Sequence, residues 1–147
     1  EELSKGNDKS LIDLITKYSE SDYLQQIYSS LIQHYMLIGE SKLEAIYYKK
    51  LTDRYNNNPS TLNSYAWRMS ELGINLDDAL QKSIIAIDLS SDDTQLRSYI
   101  LDTKAELLWM LGRNKEAIEA ITLAIISDPE SEYFKEQKQK FEKPFEN

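Results

Sequence analysis

The sequence contains no cysteine and only one histidine among its 147 residues. Without cysteine there is no disulfide, no thiolate nucleophile and no cysteine-bound zinc site. The one histidine, His34, has no second histidine four residues away, so a histidine zinc motif is missing as well. The sequence also lacks phosphate-binding glycine loops, nucleophile elbows and dinucleotide fingerprints. These absences predict that the chain is not an enzyme and that it binds neither a metal nor a cofactor.

Long apolar runs and basic clusters are equally scarce. The longest apolar stretch, Ile118–Ile126, is interrupted by Glu119 and Thr122 and is far shorter than the roughly 20 residues that cross a bilayer. The formal net charge is −8, and no block of lysines and arginines could neutralise successive phosphates. We therefore expect no membrane insertion and no nucleic-acid partner. A protein or peptide, basic or apolar in character, fits this composition better.

Residues that form turns are few, with four glycines and three prolines in the whole chain. Hydrophobic residues make up 41% and charged residues 29%, which is the balance of a folded globular chain. β-Branched runs bounded by turn signals are scarce, whereas apolar residues recur at three- and four-residue spacing. The sequence therefore predicts an all-α fold in a single domain, 1–147.

Three glycines divide the chain into similar units. Gly39 and Gly73 are 34 residues apart, and Gly73 and Gly112 are 39 apart. An amphipathic run precedes each glycine, and its apolar members keep the same distances from it. These members are Tyr28, Leu31, Ile32 and Tyr35; Leu62, Tyr65, Ala66 and Met69; and Leu101, Ala105 and Leu108. Because glycine adopts the left-handed backbone conformation that ends many helices, each glycine is predicted to close the first helix of a hairpin.

A second helix follows each glycine after a short polar turn. The second helices open on Ala45, Ala79 and Ala117. Their predicted N-caps are Ser41, Asn75 and Asn114. Small residues recur seven apart, at Ala79 and Ala86 and at Ala117 and Ala124, which places them on one stripe where two helices can approach closely. Each unit is thus predicted to be a packed helical hairpin.

The third unit, Leu101–Pro129, resembles the tetratricopeptide repeat. The positions that carry the resemblance are Ala105, Leu108, Gly112, Ala117, Ala124 and the closing Asp128-Pro129. The second unit is similar at its apolar and alanine positions, and the first departs most, since Ile32 replaces a small residue. The resemblance implies an α-α superhelix, a solenoid of antiparallel helical hairpins. It divides the chain into a partial repeat at 1–22, repeats at 23–57, 58–91 and 92–129, and a capping helix at 130–147.

In tetratricopeptide arrays the first helices line a concave groove that receives peptides or partner segments, and the resemblance implies such a groove here. The residues on the first-helix faces opposite the buried stripes are Gln26, Ser29, Gln33, Asn63, Trp67, Ser70, Asp102, Glu106 and Trp109. Repeats that bind a C-terminal carboxylate present lysines, an arginine and asparagines at their groove, and only Asn63 is of that type. The groove is therefore expected to be acidic to neutral and to lack a carboxylate clamp.

Two pairs of groove residues have alternative interpretations. Trp67 and Trp109 are either exposed anchors for a partner or packing residues between hairpins, and the usual burial of tryptophan favours packing. Asp102 and Glu106, four residues apart on one helix face, could attract a lysine or arginine of a ligand. A solvated helix face explains the two carboxylates as well, and we favour that interpretation.

The resulting functional hypothesis is a protein-protein interaction scaffold that binds a peptide or partner segment in the groove. The alternative is a helical appendage of a larger protein, serving positioning or self-association, because Leu62–Trp67 is similar to helical parts of bacterial envelope thioredoxin-like proteins. Leu11–Tyr18 looks like the second helix of a preceding repeat, so we expect a longer array. The compartment stays unknown. The absence of cysteine and the resemblance of Lys17–Ser21 to bacterial envelope repeat proteins favour the periplasm over the cytoplasm.

Overall fold

The computed structural model of the protein describes residues 2–20 and 23–145. Within these ranges the backbone forms eight α-helices and no β-strand, which confirms the predicted all-α class. The helices are α1 (Glu2–Lys17), α2 (Leu24–Ile38), α3 (Ser41–Arg54), α4 (Pro59–Leu72), α5 (Leu76–Leu89), α6 (Thr94–Met110), α7 (Asn114–Ser127) and α8 (Glu132–Phe141). Ser21, from the segment compared with envelope repeat proteins, and the outermost residues of the predicted segments 1–22 and 130–147 lie outside the described residues.

The helices form two compact units, an N-terminal unit (Glu1–Tyr55) and a C-terminal unit (Asn56–Asn147). In the N-terminal unit, α2 packs against both α1 and α3. The core of this unit contains Leu24, Tyr28, Ile32 and Leu51, with Ile15, Tyr47, Tyr48 and Tyr55 packed against it. The apolar stripe that the sequence predicts for the first hairpin is thus the buried face of α2.

The C-terminal unit consists of two hairpins, α4–α5 and α6–α7, followed by the shorter helix α8. Helix α6 contacts each of the other four helices, whereas α8 lies against α6 and α7. The small residues predicted to let the paired helices approach are all fully buried: Ala79, Ala86, Ala117 and Ala124. Their packing role is therefore confirmed.

Each hairpin turn contains a glycine in the left-handed conformation, as the sequence predicts. The φ angles are 75° at Gly39, 65° at Gly73 and 75° at Gly112. At the second turn, the amide of Gly73 donates to the carbonyl of Ser70 at 3.2 Å, and the amide of Ile74 donates to Met69 at 3.1 Å. The same pair of bonds closes the other two helix ends. These bonds satisfy carbonyls that a helix end otherwise leaves without intrahelical partners.

The Gly73→Ala substitution is expected to lower the free energy of unfolding by about 1 kcal/mol, because an alanine at positive φ is strained. No heavy atom lies within 4 Å of the position of an added Cβ, so the cost comes from the backbone alone. Urea unfolding measures this difference. The matched control is Asn75→Gly at the one described non-glycine residue with positive φ, which should be neutral or stabilising. Unchanged stability of Gly73→Ala would contradict the left-handed assignment.

Of the three predicted N-caps of the second helices, only Asn75 holds the cap position, and it forms no side-chain cap bond. Ser41 and Asn114 are the first residues of α3 and α7. The reason is the tight turn after each glycine, which leaves the cap residue outside the extended backbone conformation that side-chain capping uses. The side-chain Nδ2 of Asn114 donates instead to the carbonyl of Phe141 at 3.0 Å.

Side-chain caps occur at other helix starts, where the preceding backbone is extended. Asn58 Oδ1 accepts from the amide of Thr61 at 3.0 Å, and Asp93 Oδ1 accepts from the amide of Leu96 at 2.9 Å. These caps fix the starts of α4 and α6, the two helices that carry the predicted groove residues of the C-terminal unit.

Candidate functional site

The predicted groove residues are distributed over both units. Gln26, Ser29 and Gln33 lie at exposed positions of α2 in the N-terminal unit. The hydroxyl of Ser29 donates to the carbonyl of Gln25 at 3.0 Å, one helical turn earlier. These three residues form a polar helix face opposite the buried stripe, as the helical periodicity predicts.

In the C-terminal unit, Asn63, Trp67 and Asp102 line one cleft of about 320 Å³. We call it the aromatic cleft; it is lined by Asn63, Trp67, Tyr99, Asp102, Thr103 and Tyr133. Asn63 and Trp67 belong to α4, one turn apart, and Tyr133 comes from α8. The other three residues lie on α6, where the i, i+3 and i+4 spacing places them on one face. The cleft therefore lies where the first helices of two hairpins meet the last helix.

Burial differs sharply between the side chains of the aromatic cleft. Trp67, Tyr99 and Tyr133 are each more than one third exposed and form its rim. Asp102 is only 5% exposed and, together with the buried Thr103, forms its floor. A carboxylate at the bottom of an aromatic opening is an unusual arrangement, because burying an ionised group without a partner is costly.

Asp102 is only partly satisfied by hydrogen bonds. The hydroxyl of Tyr133 donates to Asp102 Oδ2 at 2.9 Å, while Oδ1 is buried and has no hydrogen-bond partner among the described residues. The side-chain oxygen of Asn63 is likewise buried without a partner. Two unpaired acceptors therefore belong to the lining of the same cleft.

The electrostatic environment of Asp102 opposes its ionisation. Burial raises the pKa of this carboxyl to about 6, the hydrogen bond from Tyr133 lowers it, the nearby Glu106 raises it and Lys140 lowers it. Burial, together with the charge of Asp102, also raises the pKa of the Tyr133 hydroxyl, which therefore stays protonated. At neutral pH the floor of the cleft consequently carries a negative charge that the fold does not neutralise fully.

Glu106 and Asp102 do not form the solvated helix face that we favoured from the sequence. Glu106 accepts from Lys140 at 2.5 Å, and its side chain is largely buried by that contact. The interpretation as a solvated face failed because α8 packs against α6. The spacing of the two acidic residues contains no information about a helix that follows later in the sequence.

The two tryptophans have different roles. Trp109 is a packing residue: its indole N–H donates to the carbonyl of Lys143 at 2.6 Å, and its ring meets Phe145 edge-on at 4.7 Å and Phe141 at 5.8 Å. The ammonium of Lys140 lies 4.6 Å from the same ring centre. Trp67, in contrast, is 39% exposed on the rim of the aromatic cleft, so packing does not account for its whole surface.

Ser70 is not placed to contact a partner. It is buried, and its hydroxyl donates to the carbonyl of Trp67 at 2.6 Å within α4. Together with the packing of Trp109 and the ion pair of Glu106, this leaves Asn63, Trp67 and Asp102 as the predicted groove residues of the C-terminal unit that line the cleft, and of these only Trp67 is exposed.

Three residues of the aromatic cleft were missed from the sequence, namely Tyr99, Thr103 and Tyr133. Tyr99 could have been found, because it precedes Asp102 by three residues and so shares its helix face. No local pattern brings Tyr133 to this place, since it follows Asp102 by 31 residues and arrives with α8.

A second cavity, of about 280 Å³, lies between the start of α6, the end of α7 and Phe134. Its serine hydroxyls are already used, because Ser98 donates to Thr94 at 2.9 Å and Ser127 donates to Leu123 at 3.2 Å. No buried charged side chain lines it. We therefore place the candidate site at the aromatic cleft.

Replacing each tryptophan by alanine is expected to separate their roles. Trp109→Ala should lower the free energy of unfolding by about 2 to 3 kcal/mol, because it removes a packed ring together with its hydrogen bond. Trp67→Ala should cost less than about 1 kcal/mol, because much of that ring is already in solvent. Urea unfolding followed by far-UV circular dichroism measures both. Equal losses for the two variants would contradict the assignment.

The sequence matches no protein-family model and no curated protein. In the part of the chain that the structure describes, no helix is both long and apolar enough to cross a bilayer. The same residues contain no group of three histidine, aspartate or glutamate side chains arranged to hold a metal ion.

Proposed function

We propose that the chain is a protein-binding scaffold of the tetratricopeptide type, and that the aromatic cleft holds a segment of a partner protein. The hairpins would stack as a superhelical solenoid, with α4 and α6 as first helices whose faces line the groove. The glycine-ended hairpins and the buried alanine stripes support this arrangement. Because the helices are preformed, the scaffold would lose little conformational entropy on binding.

The observation that carries the proposal is the composition of the aromatic cleft. Trp67, Tyr99 and Tyr133 expose large rings around a buried polar floor. Aromatic side chains of this kind dominate binding energies at protein interfaces, since they offer a large apolar area at low entropic cost. A volume of about 320 Å³ is at the lower end of small-molecule sites, which span ~300–1,000 Å³. The cleft thus suits one side chain of an extended segment.

Selection from a displayed library of random peptides tests this function. We expect the full chain to enrich peptides whose affinity falls tenfold or more in the Trp67→Ala variant, which corresponds to the loss of an interface hot spot. The matched control is Ile126→Ala, an exposed apolar residue on α7 away from the cleft lining. Circular dichroism shows whether both variants are folded. Failure to enrich any peptide that depends on Trp67 would remove the groove assignment.

A second candidate function is an appendage of a larger protein that self-associates through its second helices. Leu123 and Ile126 on α7, and Leu89 on α5, are exposed apolar side chains that favour this candidate. Sedimentation of the chain over a range of concentrations tests it. A dimer that dissociates in a Leu123→Glu, Ile126→Glu variant would support self-association, and a monomer at all concentrations would exclude it for this segment.

A further inference from the structure

Two features of the aromatic cleft are not explained by a general peptide groove. Asp102 Oδ1 and the side-chain oxygen of Asn63 are both buried acceptors that receive no hydrogen bond from the part of the chain that the structure describes. A buried acceptor without a donor costs free energy, and such groups are few in folded proteins. Here two of them line one cleft, and one of the two belongs to a carboxyl group.

We propose that the aromatic cleft takes the primary ammonium group of a lysine side chain, which donates hydrogen bonds to the unpaired oxygens of Asp102 and Asn63. The methylene groups of the lysine would lie against the exposed ring of Trp67. This inference rests on the proposed function, since it names the side chain that the bound segment inserts.

The available hydrogen-bonding groups select a donor. Two hydroxyl hydrogens of the cleft are already used, because the Thr103 hydroxyl donates to the carbonyl of Tyr99 at 3.1 Å and the Tyr133 hydroxyl donates to Asp102. The buried atoms without a partner are acceptors, and the charge of Asp102 would repel a carboxylate or phosphate. A cation is attracted both by the carboxylate and by the faces of aromatic rings.

The fold neutralises the negative charge of Asp102 only in part. Lys140 of α8 lowers the pKa of Asp102 through its charge, but its ammonium forms its ion pair with Glu106, at 2.5 Å. The ammonium of Lys140 also lies 4.6 Å from the ring centre of Trp109, and Lys140 is not one of the residues that line the cleft. An external cation would therefore complete a charge balance that the chain itself leaves incomplete.

The geometry favours an ammonium over a guanidinium. An arginine binds a carboxylate most strongly through two parallel N–H···O bonds, one to each oxygen. At Asp102 the oxygen Oδ2 already accepts from Tyr133, so a guanidinium that bonds both oxygens would have to share Oδ2 with the tyrosine hydroxyl. A lysine ammonium has three donors that point in different directions, which suits separate acceptors on α4 and α6.

The experiment uses three small probes that differ only in the side chain: the Nα-acetyl methylamides of lysine, arginine and norleucine. Each is titrated into the full ¹⁵N-labelled chain at neutral pH. We expect the lysine probe to shift the amide signals of residues 63, 67, 99, 102 and 103 with a Kd on the order of millimolar, as a ligand of this size allows. The arginine probe should bind severalfold more weakly, and the norleucine probe at least tenfold more weakly.

The Asp102→Asn variant should weaken the lysine probe at least tenfold while the fold is retained. The matched control is Glu106→Gln, the same carboxyl-to-amide exchange one turn further along α6, which should change the affinity by less than threefold. Equal binding of norleucine and lysine, or an equal loss in both variants, would overturn the ammonium site.

The two proposals fail in different ways. If selected peptides depend on Trp67 but tolerate replacement of every lysine by norleucine, the groove stands and the ammonium site is wrong. If no selected peptide depends on Trp67 while the lysine probe binds and requires Asp102, the ammonium site stands and the peptide-binding function is wrong.

Discussion

Phe141→Ala is expected to lower the free energy of unfolding of the C-terminal unit by about 3 to 5 kcal/mol, the usual cost of removing a fully buried phenylalanine. Phe141 is the last residue of α8 and is 0% exposed, with the ring of Trp109 at 5.8 Å. Buried residues of α8 are few, so this ring contributes much of what holds the helix against α6 and α7. A loss of this size is comparable with the whole stability of a small domain.

Tryptophan fluorescence in urea measures this effect in the right unit, because both tryptophans of the sequence, Trp67 and Trp109, belong to the C-terminal unit. The matched control is Phe145→Ala. Phe145 also contacts Trp109, at 4.7 Å, but it follows the end of α8 and is only partly buried. It should cost about 1 kcal/mol. Similar losses for the two variants would show that α8 is not anchored through Phe141.

Asp102→Asn is expected to stabilise the protein increasingly as the pH rises. The pKa of Asp102 is raised by burial from 3.8 in the unfolded chain to about 6 in the folded protein. Between these values the folded state binds a proton that the unfolded state has lost, so the wild type loses stability as the pH increases. A shift of about 2 pKa units corresponds to about 3 kcal/mol, which the variant does not lose. The penalty is absent below about pH 4 and complete above about pH 6 to 7.

Urea unfolding of both proteins at several pH values between 4 and 7.5 measures the difference. The other charged or titratable groups near the site, Glu106, Lys140, Tyr133 and Tyr99, are present in both proteins and largely cancel. A Tyr133→Phe variant provides the opposite control. It removes a hydrogen bond that lowers the pKa of Asp102, so the loss of stability should extend to higher pH. A difference that does not change with pH would contradict the assigned burial of the carboxyl group.

Functional sites commonly contain buried groups with shifted pKa values, and such groups can lower the stability of the fold. Ionisation of Asp102 lowers the stability of the folded protein, and a cation bound to the carboxylate would restore it. The pH series therefore measures what the carboxyl group of Asp102 costs in folding stability. The probe titration measures what the same group contributes to binding.

Local features of the fold could be predicted from the sequence because their causes are local. A glycine at positive φ needs no distant partner, so Gly39, Gly73 and Gly112 mark the hairpin turns correctly. Apolar spacing also identifies the buried stripes of the first helices. The prediction of side-chain caps on the second helices failed for a local reason as well. A side chain caps a helix only when its own backbone is extended, and the residue type alone does not reveal that conformation.

The candidate site depended on contacts that lie far apart in the sequence. Trp67 and Trp109 were both predicted on the groove faces of their first helices, yet one is on a rim and the other is packed, because Phe141, Lys143 and Phe145 contact the second. Asp102 and Glu106 are also equivalent in helix periodicity. They differ in their contacts with α8, because Tyr133 bonds to Asp102 and Lys140 pairs with Glu106. The groove residues of the C-terminal unit were thus partly identified from helix periodicity, while their accessibility was determined by the last helix.

The pattern of helix contacts in the C-terminal unit also has a kinetic consequence. Every packed pair there joins helices that are adjacent or one apart along the chain, and α6 takes part in four of the six pairs. Such a topology has a low contact order, and chains of this kind fold on the microsecond to millisecond scale, since little loop entropy is lost before contacts form. Each helix therefore meets partners that were synthesised shortly before it, and the long helix α6 is the partner that most of these contacts share.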